Sequence, residues 1–387
     1  MNGNPLTGEP QITVSQNSKA LHLPGLNGLR AIAALAVVLS HITLDLGNFG
    51  LNNKIFGTDD YGNPTGLNLA GYGVTIFFTL SGFLITFLLL KEKEVTGKVN
   101  IKNFYIRRIL RIWPLYYLYL LLCVITYIVY DTPYIQSLPF YVFMAANIPF
   151  FLYKAVPLLT HYWSLGVEEQ FYLFFPHLAK KSNKNLLRMA IALTLALLTL
   201  KIIFWVLRRY HGLETPYLAI NTTRFHNMLI GVVGAILYYN QNQRFLQLST
   251  HVMTQIVAWI AMLLIALNKF HFASVIDVEL VSIIALCLIM GQVTKRNRII
   301  NLENAAFDFI GKISYGIYVI HPLLIFYFSR LLGTLADNSL NYLLLYLLIT
   351  TTTILLAWLS YEFYEKRFLQ LKTKYTAIKS ENAITRS

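Results

Sequence analysis

Apolar residues run along this chain in ten blocks, separated by shorter polar stretches that hold most of the Lys and Arg. The blocks fall at 29–46, 73–90, 112–130, 166–178, 186–207, 225–239, 252–267, 275–290, 313–332 and 342–361, and each is read as a helical crossing of about 30 Å of hydrocarbon. A further apolar segment, 138–152, is interrupted by Pro139 and Pro149 and reads as a re-entrant or interfacial piece. Residues 1–24 are polar, rich in Asn, Ser, Gly and Pro, and lack the apolar core of a cleavable signal, so a disordered cytoplasmic lead-in is expected there. The pattern predicts one all-α transmembrane domain over 25–368, a polytopic bundle of about ten spans, followed by a basic cytoplasmic tail at 369–387.

Composition agrees with this reading. The chain is 56% hydrophobic and 13% charged, with mean hydropathy +0.53, values that place it among integral membrane proteins. The formal charge of +14 suggests an anionic partner until the basic residues are assigned to sides. In the ten-span scheme 24 Lys and Arg fall on one side and 6 on the other. That bias puts both termini in the cytoplasm and accounts for the charge by topology, with membrane lipids and no nucleic acid as partners. Cys123 and Cys287 lie within apolar runs and show no metal or redox spacing, so they read as small buried hydrophobes.

The first block carries two polar residues of unusual placement, Arg30 at its start and His41 eleven residues on. At about 100° per residue they share one helix face, with a rise of roughly 16 Å between them. An ionisable group so deep in hydrocarbon is a functional candidate. Arg107, Arg108 and Arg111 stand together just before the third block, where three guanidiniums suit either phosphate oxygens or anchorage to anionic lipid. Glu168 and Glu169 open the fourth block; the first, one turn beyond Ser164, is the candidate to accept an N–H from His41 and fix its tautomer, while an interfacial acidic pair is the plainer account. Ser81 and Gly82, in mid-span, allow either close helix packing or room for a ligand chain. The ninth block mixes Ser314, Tyr315, Tyr318 and His321, the last read as a histidine satisfied by a neighbouring helix, and Arg224 reads as a snorkelling side chain. No metal signature, phosphate-binding glycine loop or GxSxG elbow is present.

Taken together, six stretches in order give the chain a resemblance to the membrane-bound acyltransferase 3 family of bacterial O-acetyltransferase type. They are GLRAIAALAVVLSH, FFTLSGFLI, FYIRRILRIWPLYY, YWSLGVEEQFYLFFP, GKISYGIYVIHP and SYEFYEKRF, covering residues 26–368; Arg367 departs from the proline more common there. The resemblance implies a multi-pass protein of the cell inner membrane that moves an acyl group, most often acetyl, from cytoplasmic acyl-CoA to a hydroxyl of a saccharide or similar acceptor outside. Acyl-CoA would be a co-substrate, with no permanently bound cofactor. Because no esterase-like domain follows the last span, a separate extracytoplasmic transferase partner is expected.

On this reading His41, kept neutral by its low-dielectric setting, is the general base, with Glu168 orienting it. Arg107, Arg108 and Arg111 clamp the CoA phosphates, and Arg30 either supports that clamp or polarises the thioester carbonyl. Ser81 and Gly82 line the path of the pantetheine arm, and Trp163, Ser164 and Tyr315 face the acceptor. Transfer is either direct or through an acyl-His41. The competing reading is a proton-coupled transporter or flippase of an anionic or lipid-linked solute, with His41 and Glu168 as its proton relay.

Overall fold

A computed structural model describes residues 22–58, 62, 68–131 and 136–377. The lead-in expected over 1–24 and the end of the basic tail therefore lie mostly outside the described residues. Three long helices come first: α1 (Leu26–Leu44), α2 (Leu69–Thr96) and α3 (Ile101–Val129). The interrupted segment 138–152 forms two five-residue helices, α4 (Leu138–Val142) and α5 (Asn147–Phe151), far too short to cross a bilayer. Then follow α6 (Tyr162–Ala179), α7 (Asn183–His211), α8 (Glu214–Thr223), α9 (Phe225–Tyr239), α10 (Gln243–Ser249), α11 (Val252–Ala266) and α12 (Asp277–Thr294). The chain closes with α13 (Ala305–Lys312), α14 (Ser314–Leu332), α15 (Ser339–Ser360), a π-helical turn at Tyr361–Glu365, and α16 (Lys366–Lys372). Among the described residues there is no β-strand.

Every predicted block falls on a helix, but the helices differ in what they present to lipid. Seven are long and apolar enough to cross a membrane, or eight if α10 and α11, bent by 50°, count as one broken span. With α10 and α11 counted as one span, two of the ten expected crossings still fall short. The α6 helix carries Glu168, Glu169 and Gln170 in a row, and α9 has only 15 residues. Neither needs a lipid-compatible surface all round, because each packs within the bundle: nine of the α9 residues are buried. By contrast, 17% of the apolar window of α7 and 22% of that of the last long helix are buried, against 78% for α2, so α7 and α15 carry the lipid-facing surface and α2 the interior.

The α1 helix stands where three apolar clusters meet. Val37 packs with α2, α3, α6 and α9; Leu26, Leu29 and Ala33 pack with α2 and α12; Ala34, Val38 and Ile42 pack with α14 and α15. Three of its sides are therefore occupied by apolar packing. Between α2 and α9 the backbones nearly touch: a Cβ on Gly82 would overlap the Met228 carbonyl, and one on Gly231 the Thr79 carbonyl. Gly82 is thus filled by helix packing, and the room for a ligand chain expected beside it does not exist.

Away from that seam, a buried ion cluster that the apolar pattern did not reveal joins α7, α9 and α12. Lys201 Nζ and His226 Nε2 each lie 2.7 Å from Glu279 Oε1, and all three side chains are at most 7% exposed. Arg224, expected to snorkel, instead turns inward from a left-handed backbone position (φ 45°), bonding the Gly71 carbonyl at 3.1 Å and the Thr75 hydroxyl at 3.2 Å. Removing one partner of such a cluster strands a charge away from water. Glu279→Gln is expected to cost about 3–5 kcal/mol, and Glu279→Leu with Lys201→Met much less. Thermal unfolding in detergent checks this; equal losses in the two variants would contradict it.

Candidate functional site

The free face of α1 leads to a cluster of three histidines near the end of the bundle opposite the α2–α3 turn. Where α1 crosses α14, His41 Nδ1 meets His321 Nε2 at 2.7 Å, with the rings stacked 5.0 Å apart. His321 Nδ1 lies 3.1 Å from the Ile317 carbonyl, which can only accept. The hydrogen of a neutral His321 is therefore on Nδ1, its Nε2 carries a lone pair, and His41 donates to that lone pair from its own Nδ1. It follows that His41 Nε2 is the unprotonated nitrogen. Of the three imidazoles His41 alone is not fully buried.

The third ring comes from the start of α6. His161 lies 5.5 Å from His321 and 5.4 Å from Tyr318 between ring centroids, is 3% exposed, and among the described residues has no hydrogen-bond partner on either ring nitrogen. The Tyr318 hydroxyl donates to the His161 carbonyl at 2.8 Å and lies 2.5 Å from the Ser164 hydroxyl. Ser164 is thus brought to the histidines. Trp163 stacks on Phe150 at 5.2 Å, with the Arg224 guanidinium 5.4 Å from its ring.

The structure does not bring Glu168 to His41. Seven residues of α6 place it about 10 Å along the axis from His161, and it is His161 that stands level with the His41–His321 pair. Glu168 Oε1 instead accepts from the hydroxyls of Ser81 and Tyr172, and its charge acts on Arg30 and Arg111. The contact to His41 expected of Glu168 is therefore made by His321, and Ser81 is engaged with Glu168. Neither His321 nor His161 stood out as reactive in the sequence. Their one signal was that each carries a polar ring into an apolar neighbourhood, His321 just before a helix-interior proline.

Toward the other end of α1, where α2 turns into α3, a cavity of about 240 Å³ gathers Arg30, Arg107, Arg108 and Arg111 on its lining. The sequence-predicted cluster is thus joined by Arg30 from a different helix. Arg107 is committed to the fold, with Nη2 2.7 Å from Glu92 and Nη1 2.8 Å from the Tyr375 carbonyl. Arg108 lies 4.3 Å over the Tyr172 ring. Among the described residues Arg30, Arg108 and Arg111 form no salt bridge, so three guanidiniums converge without a carboxylate in contact. Planar, permanently charged groups left in that state suit the oxygens of a phosphate. Tyr315, expected on the acceptor side, lines this cavity, because its hydroxyl is drawn to the Ile112 carbonyl at 2.8 Å. His41 does not line it; roughly 16 Å of α1 separates it from Arg30.

Comparison with known proteins adds to this geometry. A family model described as an acyltransferase domain matches residues 23–362. The chain is 28% identical over 386 residues to a provisionally named O-acetyltransferase of Staphylococcus aureus strain COL, covering 90% of this chain and 58% of that protein. It is 30% identical over 239 residues to the O-acetyltransferase OatA of Staphylococcus aureus strain NCTC 8325, covering 56% of this chain and 35% of OatA. The chain therefore spans under two thirds of the length of these relatives. No solved structure matches it.

Proposed function

The chain belongs to the acyltransferase domain family, and from that premise we propose that it is an integral membrane O-acyltransferase, moving an acyl group, most simply acetyl, from cytoplasmic acyl-CoA to a hydroxyl of an extracytoplasmic saccharide or similar acceptor. The observation that carries the reading is the contact chain from His41 Nδ1 through His321 to the Ile317 carbonyl, which for neutral rings assigns a lone pair to His41 Nε2. As the acceptor oxygen bonds to the thioester carbonyl carbon, its proton passes to His41 Nε2. The tetrahedral adduct then expels the CoA sulfur, which takes that proton and leaves as the thiol. While His41 holds the proton, its Nδ1–H remains bonded to His321, which stabilises the positive ring. The same chain fixes ring orientation, as outer partners do for ligating histidines.

The arginine cavity supplies the anion site for the phosphates of the donor, with Arg108 and Arg111 contacting them. The length of α1 between Arg30 and His41 argues that Arg30 serves this clamp and does not polarise the reacting carbonyl. The Lys and Arg bias of the loops supports the cavity end as cytoplasmic, and the relatives' names support acetyl as the group moved. A proton relay between His41 and Glu168, on which the transporter reading depends, has no support in the contacts either residue makes.

The test is thioester consumption by the purified protein in proteoliposomes. Acetyl-CoA supplied on the cavity side is expected to yield free CoA thiol and O-acetylated acceptor in equal amounts. Movement of a solute with no thiol released would overturn the proposal.

A further inference from the structure

The arginine cavity has a second cationic wall, and it comes from the segment after the π-helical turn. Lys366, Leu369, Gln370, Lys372, Thr373 and Thr376 line the cavity opposite the α3 arginines. The family model ends at 362, so this wall lies beyond it. The segment also crosses the boundary at 368 expected between membrane domain and tail: α16 and a 3₁₀ turn continue to Tyr375. It docks through the Tyr375 carbonyl, which accepts from Arg107 at 2.8 Å, and the turn that leads into it is held by the Tyr364 hydroxyl, which donates to the Pro114 carbonyl at 3.2 Å. Three lysines line the cavity, and two of them are engaged. Lys366 pairs with Glu362 at 2.8 Å, and Lys312 lies 4.8 Å over the Tyr361 ring. Lys372 makes no ion pair among the described residues and faces the like charges of Arg30, Arg107, Arg108 and Arg111.

The lining also carries Glu92, paired with Arg107, and Asp308 and Glu365, but among the described residues Arg30, Arg108, Arg111 and Lys372 have no carboxylate in salt-bridge contact. Cations so placed repel one another, and the arrangement is stabilised when an anion with several negative centres enters. A CoA ester carries both a diphosphate and a ribose phosphate, more negative charge than one arginine cluster on one wall needs to meet. We propose that residues 366–377 form a wall of the donor site and that Lys372 binds a phosphate of the donor's nucleotide half, so that this segment sets the preference for nucleotide-bearing thioesters. The inference rests on the acyl-CoA reading above. A phospholipid headgroup shares the phosphate chemistry, and the experiment separates the two.

The full chain is reconstituted in phosphatidylcholine vesicles, with and without phosphatidylglycerol, and kcat/KM is measured for acetyl-CoA and acetyl-pantetheine. Lys372→Gln is expected to lower the preference for acetyl-CoA roughly tenfold or more in both vesicle types, through KM. Lys372→Arg, which keeps the charge, should retain the preference. An unchanged ratio in Lys372→Gln, or equal losses on both thioesters, overturns the inference while leaving the arginine site intact. A loss confined to vesicles with phosphatidylglycerol assigns Lys372 to lipid and overturns it too. Wild-type protein that transfers acetyl from neither thioester overturns the donor reading itself, and the inference with it.

Discussion

Purified His41→Ala protein is expected to insert and fold, yet to transfer acyl groups at least 10²-fold more slowly than wild type, and up to about 10⁴-fold. The size follows from what is removed. Nε2 of His41 is the basic nitrogen at the outlet of the His321 chain, and no neighbouring group replaces it: His321 spends its own lone pair on His41, and His161 is 3% exposed. The structural cost is smaller. His321 Nε2 loses its donor, a penalty of about 1–3 kcal/mol for a buried group left unmatched. The paired variant His321→Leu should fall between the two, because His41 keeps its nitrogen but loses the partner that fixes which one is basic; roughly 10- to 100-fold is expected by analogy with outer partners of metal-bound histidines. Acceptor acylation in proteoliposomes, with thermal unfolding as the control for folding, measures both. Near-normal transfer by folded His41→Ala would remove the base from the account.

The second large effect is expected at the opposite end of α1. Arg111→Glu, alone or with Arg108→Glu, places a carboxylate in the proposed phosphate site, and KM for acyl-CoA should rise about 100-fold or more, well beyond the loss of one charge-assisted hydrogen bond. The wild-type KM should itself increase with salt, since the cavity is open to solvent ions, and the charge-reversed variants should show a flatter dependence. Arg107→Glu should behave differently, as its partners are Glu92 and the Tyr375 carbonyl: it is expected to lower stability and loosen the C-terminal segment before it alters donor affinity in proportion to charge. Steady-state kinetics across ionic strength separate these outcomes. An unchanged KM in Arg111→Glu would return these arginines to a role in topology and lipid contact.

How far these residues were legible in the sequence depended on whether their partners were close along the chain. Arg30 and His41 share a face because helix geometry fixes both, and their placement was readable without a fold. The three α3 arginines were readable for the same reason, although their division of labour was not, since the Arg107 partner Tyr375 is 268 residues away. His321 lies 280 residues from His41, and nothing local distinguishes a ring that meets another helix's imidazole from one that is merely buried. The α6 register shows the limit most clearly. Glu168 looked like the natural partner because its motif carries two carboxylates, yet the level of the α1–α14 crossing brings His161 to the histidines and leaves Glu168 to Ser81 and Tyr172. Gly82 and Tyr315 moved for similar reasons, one filled by the α9 backbone and the other drawn to the arginine end by the Ile112 carbonyl. The apolar blocks, by contrast, marked every long helix, because hydrocarbon thickness acts on each helix separately; only the polar α6 and the short α9, both packed within the bundle, escape that rule.

The proposed base, His41, and one member of the proposed phosphate clamp, Arg30, share a face of α1, with Arg108 and Arg111 brought to Arg30 from α3, so a single bound donor has to reach along α1 to meet both. The most direct measurement is a structure of the protein with a non-transferable acyl-CoA analogue, such as the thioether ketone. The prediction is that its phosphates contact Arg30, Arg108 and Arg111 and that its carbonyl carbon lies beside His41, leaving an acceptor oxygen room to sit about 3–3.5 Å from both that carbon and Nε2. An analogue held by the arginines with its carbonyl ending short of the histidines, or bound elsewhere altogether, would contradict it.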